Sequence, residues 1–385
     1  MKIKSLSPDN NVTFRVGGSV YSLQPGTFSP EIDDIHVHEA MDVCKLFKNK
    51  LELILEDGTS ASFSYFEGIE QPVGLLDQGA VTISIDDSSR TLSLNPVSDS
   101  YIYFTKGVKV TINSVKGITW PNVNGLHIFY LDRYGVLNVA QAFIEEFITE
   151  YAIVSIIYWD LENQKHIYWA DERHGIHMSD KTHLYLHRTR GAQFDRGCSL
   201  YDFIADADGS LDTHAQFKVN GGIIWDEDIE ITLPPQTQFP VLYRSGTSWK
   251  RKEADNFPFI YHGQEGYTGT RIAYNKLTGS TWSLEEVDSN KFVLVHIFAT
   301  NDFEHPFMAV LGFNQYGSKA EARTNAVSEI RTISGLPFAE FVPIGTVIYQ
   351  TNSYANSVDA KVVSVDTGIN YADHRLDSIR PGSLA

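Results

Sequence analysis

Short runs in which every second residue is apolar, separated by Asp-Gly, Gly-Gly and other polar turns, recur along most of this chain. That period is the signature of strands with one buried face, because successive side chains of a strand point to opposite sides. In "LELILEDGTSASFSYF", Leu51, Leu53 and Leu55 share a face, Asp57-Gly58 turns, and Phe63 and Tyr65 return on the partner strand. "AVTISIDDSSRTLSL" repeats the device, with Val81, Ile83 and Ile85 answered by Leu92 and Leu94. Aromatic residues make up 12% of the chain, and they suit a pleated, half-buried surface. The expected fold is mainly β: several antiparallel β-sandwich-like modules with a few short helices.

A length of 385 residues allows two or three domains. Pro96 and the polar residues after it mark a joint, which bounds an N-terminal β domain at 1–96. A middle β-rich domain follows at 97–212. There "SDKTHLYLHRTRGA" predicts a helix, capped by Ser179 or Asp180 and stopped by Gly191. A C-terminal sandwich-like domain at 213–350 carries one clear helix, "SKAEARTNAVSEIRTISG". Ser318 and Glu321 stand at capping-box spacing, and Ala322, Ala326, Ile330 and Ile333 form its apolar stripe. Residues 351–385 are polar with one β-like stretch and predict an extended arm that docks on a partner.

The formal net charge of −17 repels phosphate backbones and anionic headgroups, so neither nucleic acid nor membrane insertion is expected. No apolar run approaches the ~18 residues of a membrane span, and "MKIKSLSPDNNVTF" lacks the apolar core of a secretory signal. The chain is expected to be made and folded in a cytoplasm. Cys44 and Cys198 have neither disulfide-framework nor zinc spacing and are expected to be buried thiols.

Five of the thirteen histidines fall between His166 and His187. In a helix, His183 and His187 are four residues apart and share a face, a spacing able to chelate zinc. His174, His177 and Glu172 would add ligands from the preceding turn. The HExxH pattern is missing, and Leu184, Tyr185 and Leu186 read as core anchors, which favours a packed structural element over a metal site. His36 and His38 would share a strand face, and three copies on an axis would offer six imidazoles, although an exposed polar face is the plainer reading. In "WDEDIEI", alternation sets Asp226 and Asp228 on one face and Glu227 on the other, as a solvated strand start. A glycan-degrading enzyme would use Asp226, Asp228 or Glu172. Trp120, Trp249 and Trp282 stand near loops, where they would stack on sugars or fill subunit interfaces. No nucleophile elbow, Walker loop or dinucleotide fingerprint occurs, so no catalytic residue and no cofactor are expected.

Several spaced phrases give the chain a family look: "WADERHGIHMSDKTHLYLHRTRGA", "GGIIWDEDI", "RIAYN", "HIFATND", "GFNQY" and "LPFAEFVPIGTVIYQTN". Over roughly residues 100–375 the chain resembles structural proteins of tailed bacteriophages, of the tail-fibre or appendage type. The resemblance implies a non-enzymatic virion component, a homotrimer of β-rich modules. Its partners would be itself, other virion proteins and a host-surface glycan or protein. A head- or collar-attached decoration protein is the alternative placement.

Overall fold

The computed structural model describes residues 2–7, 11–16, 18–32, 40, 43, 44, 51–54, 60, 61, 72–336 and 340–377. The fold is mainly β, built from antiparallel sheets with few helices, as the period-2 pattern requires. Two compact units divide the chain. One comprises Met1–Trp120, Ile128–Val154 and Arg173–Tyr185; the other comprises Pro121–His127, Ser155–Glu172 and Leu186–Ala385. Among the described residues no helix is long and apolar enough to cross a membrane.

The first unit is a set of small sheets. Val12–Val16 pairs with Ser19–Leu23, and Lys2–Ser5 pairs with Leu51–Ile54, around a core of Ile3, Val12, Phe14 and Leu51. Leu53 and Ile54 pair with Ala61 and Ser60, as the hairpin pattern predicts; the turn at Asp57-Gly58 lies outside the described residues. The second predicted hairpin is present as Val81–Asp86 against Thr91–Pro96, with Leu92 and Leu94 fully buried. Tyr101–Thr105 pairs with Val108–Ile112, and Glu146–Thr149 forms a single helical turn.

The second unit is organised by a seven-stranded sheet. Its order is Ser248–Asp255, Phe239–Ser245, Phe307–Tyr316, Phe292–Ala299, Val342–Thr351 and Ala360–Val363, with Ala372–Asp373 also pairing Val342–Thr351. All these pairings are antiparallel except Phe239–Ser245 with Phe307–Tyr316. The central strand Phe292–Ala299 separates two packed layers. Val293, Val295, Ile297 and Ala299 enter the main core with Phe239, Phe259 and Tyr349. Leu294 faces the other way, onto the helix Lys319–Thr332. That helix begins as its sequence predicts, with the Ser318 hydroxyl accepting the Glu321 amide, and buries Ala322, Ala326 and Ile330.

Residues 351–377 are not a loose arm. Ala360–Val363 and Ala372–Asp373 add to the sheet, and Val358, Val362, Val363 and Val365 are buried. The β-like stretch expected in this segment is the strand Ala360–Val363, and a neighbouring strand of the same chain supplies the apolar surface that the segment lacks alone. The thiols of Cys44 and Cys198 are buried, as expected, and form no disulfide.

A polar chain crosses the helix-facing layer of the sheet. Glu329 Oε2 lies 3.0 Å from His296 Nε2, and His296 Nδ1 lies 2.9 Å from Thr346 Oγ1. Thr346 Oγ1 is in turn 2.9 Å from His374 Nε2, and His374 Nδ1 faces Asp377 Oδ2 at 3.3 Å. Which ring nitrogen donates in each contact depends on the tautomer of each imidazole. The contact to Asp377 is the longest of the four.

Burial, and next the neighbouring His296, hold His374 below the ordinary histidine range against the pull of Asp377. Denatured histidines titrate near 6.5, so on acidification the unfolded chain takes up a proton that the folded site resists. The contribution of His374 is therefore complete above about pH 6.5 and is lost as the pH falls below it. We expect His374→Gln to lose less melting temperature than the parent between pH 7.5 and 5.5. Parallel pH profiles for the two proteins would overturn that expectation.

Candidate functional site

The expected single strand over "IIWDEDIEITL" is instead a hairpin: Gly222–Asp226 pairs with Ile229–Leu233 through the two-residue turn Glu227-Asp228. The turn cancels the predicted alternation. Asp226 ends its strand on the same inward face as Ile224 and is 0% exposed, which rules out a solvated strand start. Glu227 has φ +45°, a left-handed conformation that a two-residue hairpin normally assigns to Gly, Asn or Asp. Holding a glutamate there costs about 1–3 kcal/mol. Its carboxylate is nevertheless fully buried, whereas Asp228 is only half-buried. At the start of the hairpin, Gly222 packs so tightly on Cys198 Sγ and the Arg196 carbonyl that a Cβ would overlap both.

The helix Asp180–Thr189 has the predicted ends. Ser179 Oγ accepts the Thr182 amide, and Gly191 adopts φ +55°. Of its expected anchors, Leu184 and Leu186 are half-buried but Tyr185 is not. Tyr185, read as a core anchor, is 62% exposed, while His183 and the His187 side chain are buried. Periodicity identifies two faces but not which of them packs. His174 and His183 belong to the first unit, where their ring centroids lie 4.3 Å apart. His177 is exposed, and His36 and His38 lie outside the described residues.

In the second unit, His187 meets acids from two distant segments. Its Nδ1 is 3.5 Å from Glu340 Oε1 and 3.7 Å from Glu227 Oε1. Glu340 is fully buried and accepts the Ala192 amide on Oε2 at 2.6 Å. Two more buried acids adjoin this group: a carboxylate oxygen of Glu172 lies within 4.8 Å of one of Asp226. The Asn301 amide joins them, donating to Glu172 Oε1 and Asp226 Oδ2 at 3.0 Å each, while the Tyr168 hydroxyl donates to Asn301 Oδ1. Asp302 anchors the same corner by accepting the Trp169, Glu304 and His305 amides.

Four buried carboxylates this close together require compensation. Burial, followed by the like charges of Glu340, Glu227 and Glu172, pushes the Asp226 carboxyl well above the usual carboxylate range. Among the described residues, no N–H or O–H donor reaches Asp226 Oδ1 or Glu340 Oε1. The contrast with Glu329 is direct. That acid is equally buried, yet it accepts the Phe313 amide, the Asn314 amide group and the Tyr316 hydroxyl in addition to its contact with His296. Glu329 is thus fully satisfied by hydrogen bonds, whereas Asp226 and Glu340 each keep one oxygen without a donor among the described residues.

Sequence reasoning singled out Asp226, Glu172 and His187 but not Glu227 as a buried group, nor Glu340 or Asn301. The available signal for Glu340 is a lone charge inside the apolar run "LPFAEFVPIG". Of the three tryptophans, Trp120 and Trp249 are 1% exposed. Trp282 alone is half-exposed, beside Tyr243, Tyr267, Glu265 and Glu286 in a groove of about 470 Å³. No protein-family model, curated protein or solved structure matches the chain.

Proposed function

We propose that this protein is a structural component of a tailed-bacteriophage virion, of the tail-fibre or appendage type. In this reading it works as a homo-oligomer and without catalysis. One observation carries the reading: the phrases behind the family resemblance, scattered over some 170 positions, supply the buried cluster. "WADERHGIHMSDKTHLYLHRTRGA" contributes Glu172 and His187, and "GGIIWDEDI" contributes Asp226 and Glu227. "HIFATND" adds Asn301, and "LPFAEFVPIG" adds Glu340. Unrelated phrases that meet in one place act as a single folding constraint.

The burial of these acids supports a positional role, because Asp226 and Glu172, at 0% and 2% exposed, offer no open face to a sugar ring. Host-surface contact is better served by the groove beside Trp282, where aromatic faces and carboxylates suit a saccharide. Immunogold labelling of intact particles with antibody to the purified chain should mark a fixed site on the tail. Particles that carry none of the protein would sink the reading, and so would a chain that stays monomeric at micromolar concentration in light scattering.

A further inference from the structure

We propose that the groove beside Trp282 in the second unit is a binding site for an uncharged saccharide. The proposal deepens the virion reading and rests on it for the source of the sugar, a host-cell surface.

The groove is formed by side chains between residues 243 and 286 and encloses about 470 Å³, within the range of small-molecule sites. Tyr243, Ser245, Glu265, Tyr267, Trp282 and Glu286 line it. Trp282 is held in place from several sides. Its backbone exchanges two hydrogen bonds with Gly246, and its ring packs on Phe313 with centroids 4.9 Å apart. The Arg244 guanidinium lies over both Trp282 and Trp249, at 5.4 and 4.9 Å from the rings. The indole is therefore fixed before any ligand arrives, yet it stays half-exposed. Such a ring offers an apolar surface to the C–H side of a pyranose at little cost in side-chain entropy.

The acids of the groove are oriented in the same way. Glu286 Oε1 accepts the Thr270 hydroxyl at 2.8 Å and the Arg271 amide at 3.1 Å, and faces Arg271 Nη2 at 3.0 Å. Glu265 Oε2 accepts the Tyr243 hydroxyl at 2.8 Å. Among the described residues, no donor reaches Glu286 Oε2 or Glu265 Oε1, and no acceptor takes the Trp282 Nε1–H. Two fixed acceptors and one donor match neighbouring sugar hydroxyls, which donate and accept at once. The loop that carries Glu265 is also set in advance. Its Gly263 amide donates to the Tyr267 carbonyl at 3.0 Å and its Tyr267 amide to the Gln264 carbonyl at 2.7 Å. Glu265 itself holds φ +49°, an uncommon backbone for a glutamate.

Charge selects the class of sugar. No Lys, Arg or His lines the groove, and the chain's net charge of −17 adds to the effect. A uronic acid, a sialic acid or a phosphorylated sugar would meet two carboxylates and no lining cation to answer it.

The experiment uses the full chain in saturation-transfer-difference NMR. The probes are neutral oligosaccharides of glucose, galactose, mannose and N-acetylglucosamine, set against sialyllactose, oligogalacturonate and hexa-arginine. At least one neutral probe should receive saturation, and Trp282→Ala should weaken its binding roughly tenfold or more, as removal of a central aromatic anchor does. Gly266→Asn is the second variant. A Cβ at Gly266 meets no atom within 4 Å, and Asn tolerates its φ of +72°. It should obstruct the groove while melting with the parent, so a misfolded Trp282→Ala leaves the test standing.

No transfer to any neutral probe would overturn the proposal, and so would binding that survives unchanged in the folded variants. Preference for sialyllactose or oligogalacturonate would overturn the class. Capture of hexa-arginine in place of every sugar would mean that the groove takes a basic protein segment instead. These outcomes are read on the purified chain and do not alter the labelling of particles. Unlabelled particles would remove the virion reading and leave the binding result intact.

Discussion

Ending the chain at Thr351 should abolish cooperative folding of the second unit. The shortened protein would lose Ala360–Val363 and Ala372–Asp373, and it would leave the strand Val342–Thr351 with an unpaired edge. Four buried valines would go: Val358, Val362, Val363 and Val365. Each contributes about 1.5–3 kcal/mol when fully buried. Even after allowing for the chain entropy regained, the loss rivals the roughly 5–15 kcal/mol that holds a domain together. The exposed edge would be a template for aggregation. Far-UV circular dichroism, tryptophan fluorescence and solubility provide the measurement. A soluble product melting within a few degrees of the full chain would show that the segment is dispensable after all.

Asp160→Ala should be the most damaging of the single changes to the second unit's ion pairs. Asp160 is fully buried at the end of the strand Ala152–Asp160, where it accepts the amides of Glu162 and Asn163 and so shapes the turn. Its Oδ1 also lies 2.5 Å from Nζ of Lys250, itself only 5% exposed. Removing the carboxylate strands a buried ammonium, whose remaining partner in this group, Glu162, is largely exposed. Breaking one side of such a pair costs about 3–5 kcal/mol. For a unit of this size that is a fall of roughly 8–15 °C in melting temperature. Adding Lys250→Met to the variant should return part of the loss, because the double change leaves no uncompensated charge. Strictly additive effects would show that the two residues act through packing instead.

The extent to which the fold could be read in advance follows from how local each signal is. Val81–Asp86 with Thr91–Pro96, and the helix Lys319–Thr332 with its Ser318 cap, are specified by residues within a few positions of one another. The buried cluster is not. Glu227 occupies a turn position that no turn rule assigns to glutamate, so the hairpin was hidden inside an apparent strand. The helix bearing His183 and His187 was visible, but its buried face was not, because an exposed Tyr185 is apolar enough to mimic an anchor. Glu340 lies 113 positions after Glu227, and no sequence period links them to a common imidazole. The return of residues 155–172 to the same unit as 186–385 is likewise a property of the assembled fold and not of either segment.

The His296–Thr346–His374 connection also has a mechanical meaning. Thr346 sits in the middle of the strand Val342–Thr351, and His374 follows the short strand Ala372–Asp373 that pairs beside it. A force entering through residues beyond Asp377 reaches that short strand first. Two backbone pairs alone would unzip under tension. The imidazole, clasped to the threonine and through it to the helix-borne Glu329, passes the load into the sheet's interior and across to the helix. Thr346→Val would keep the shape and remove the clasp, leaving the short strand to its backbone pairs.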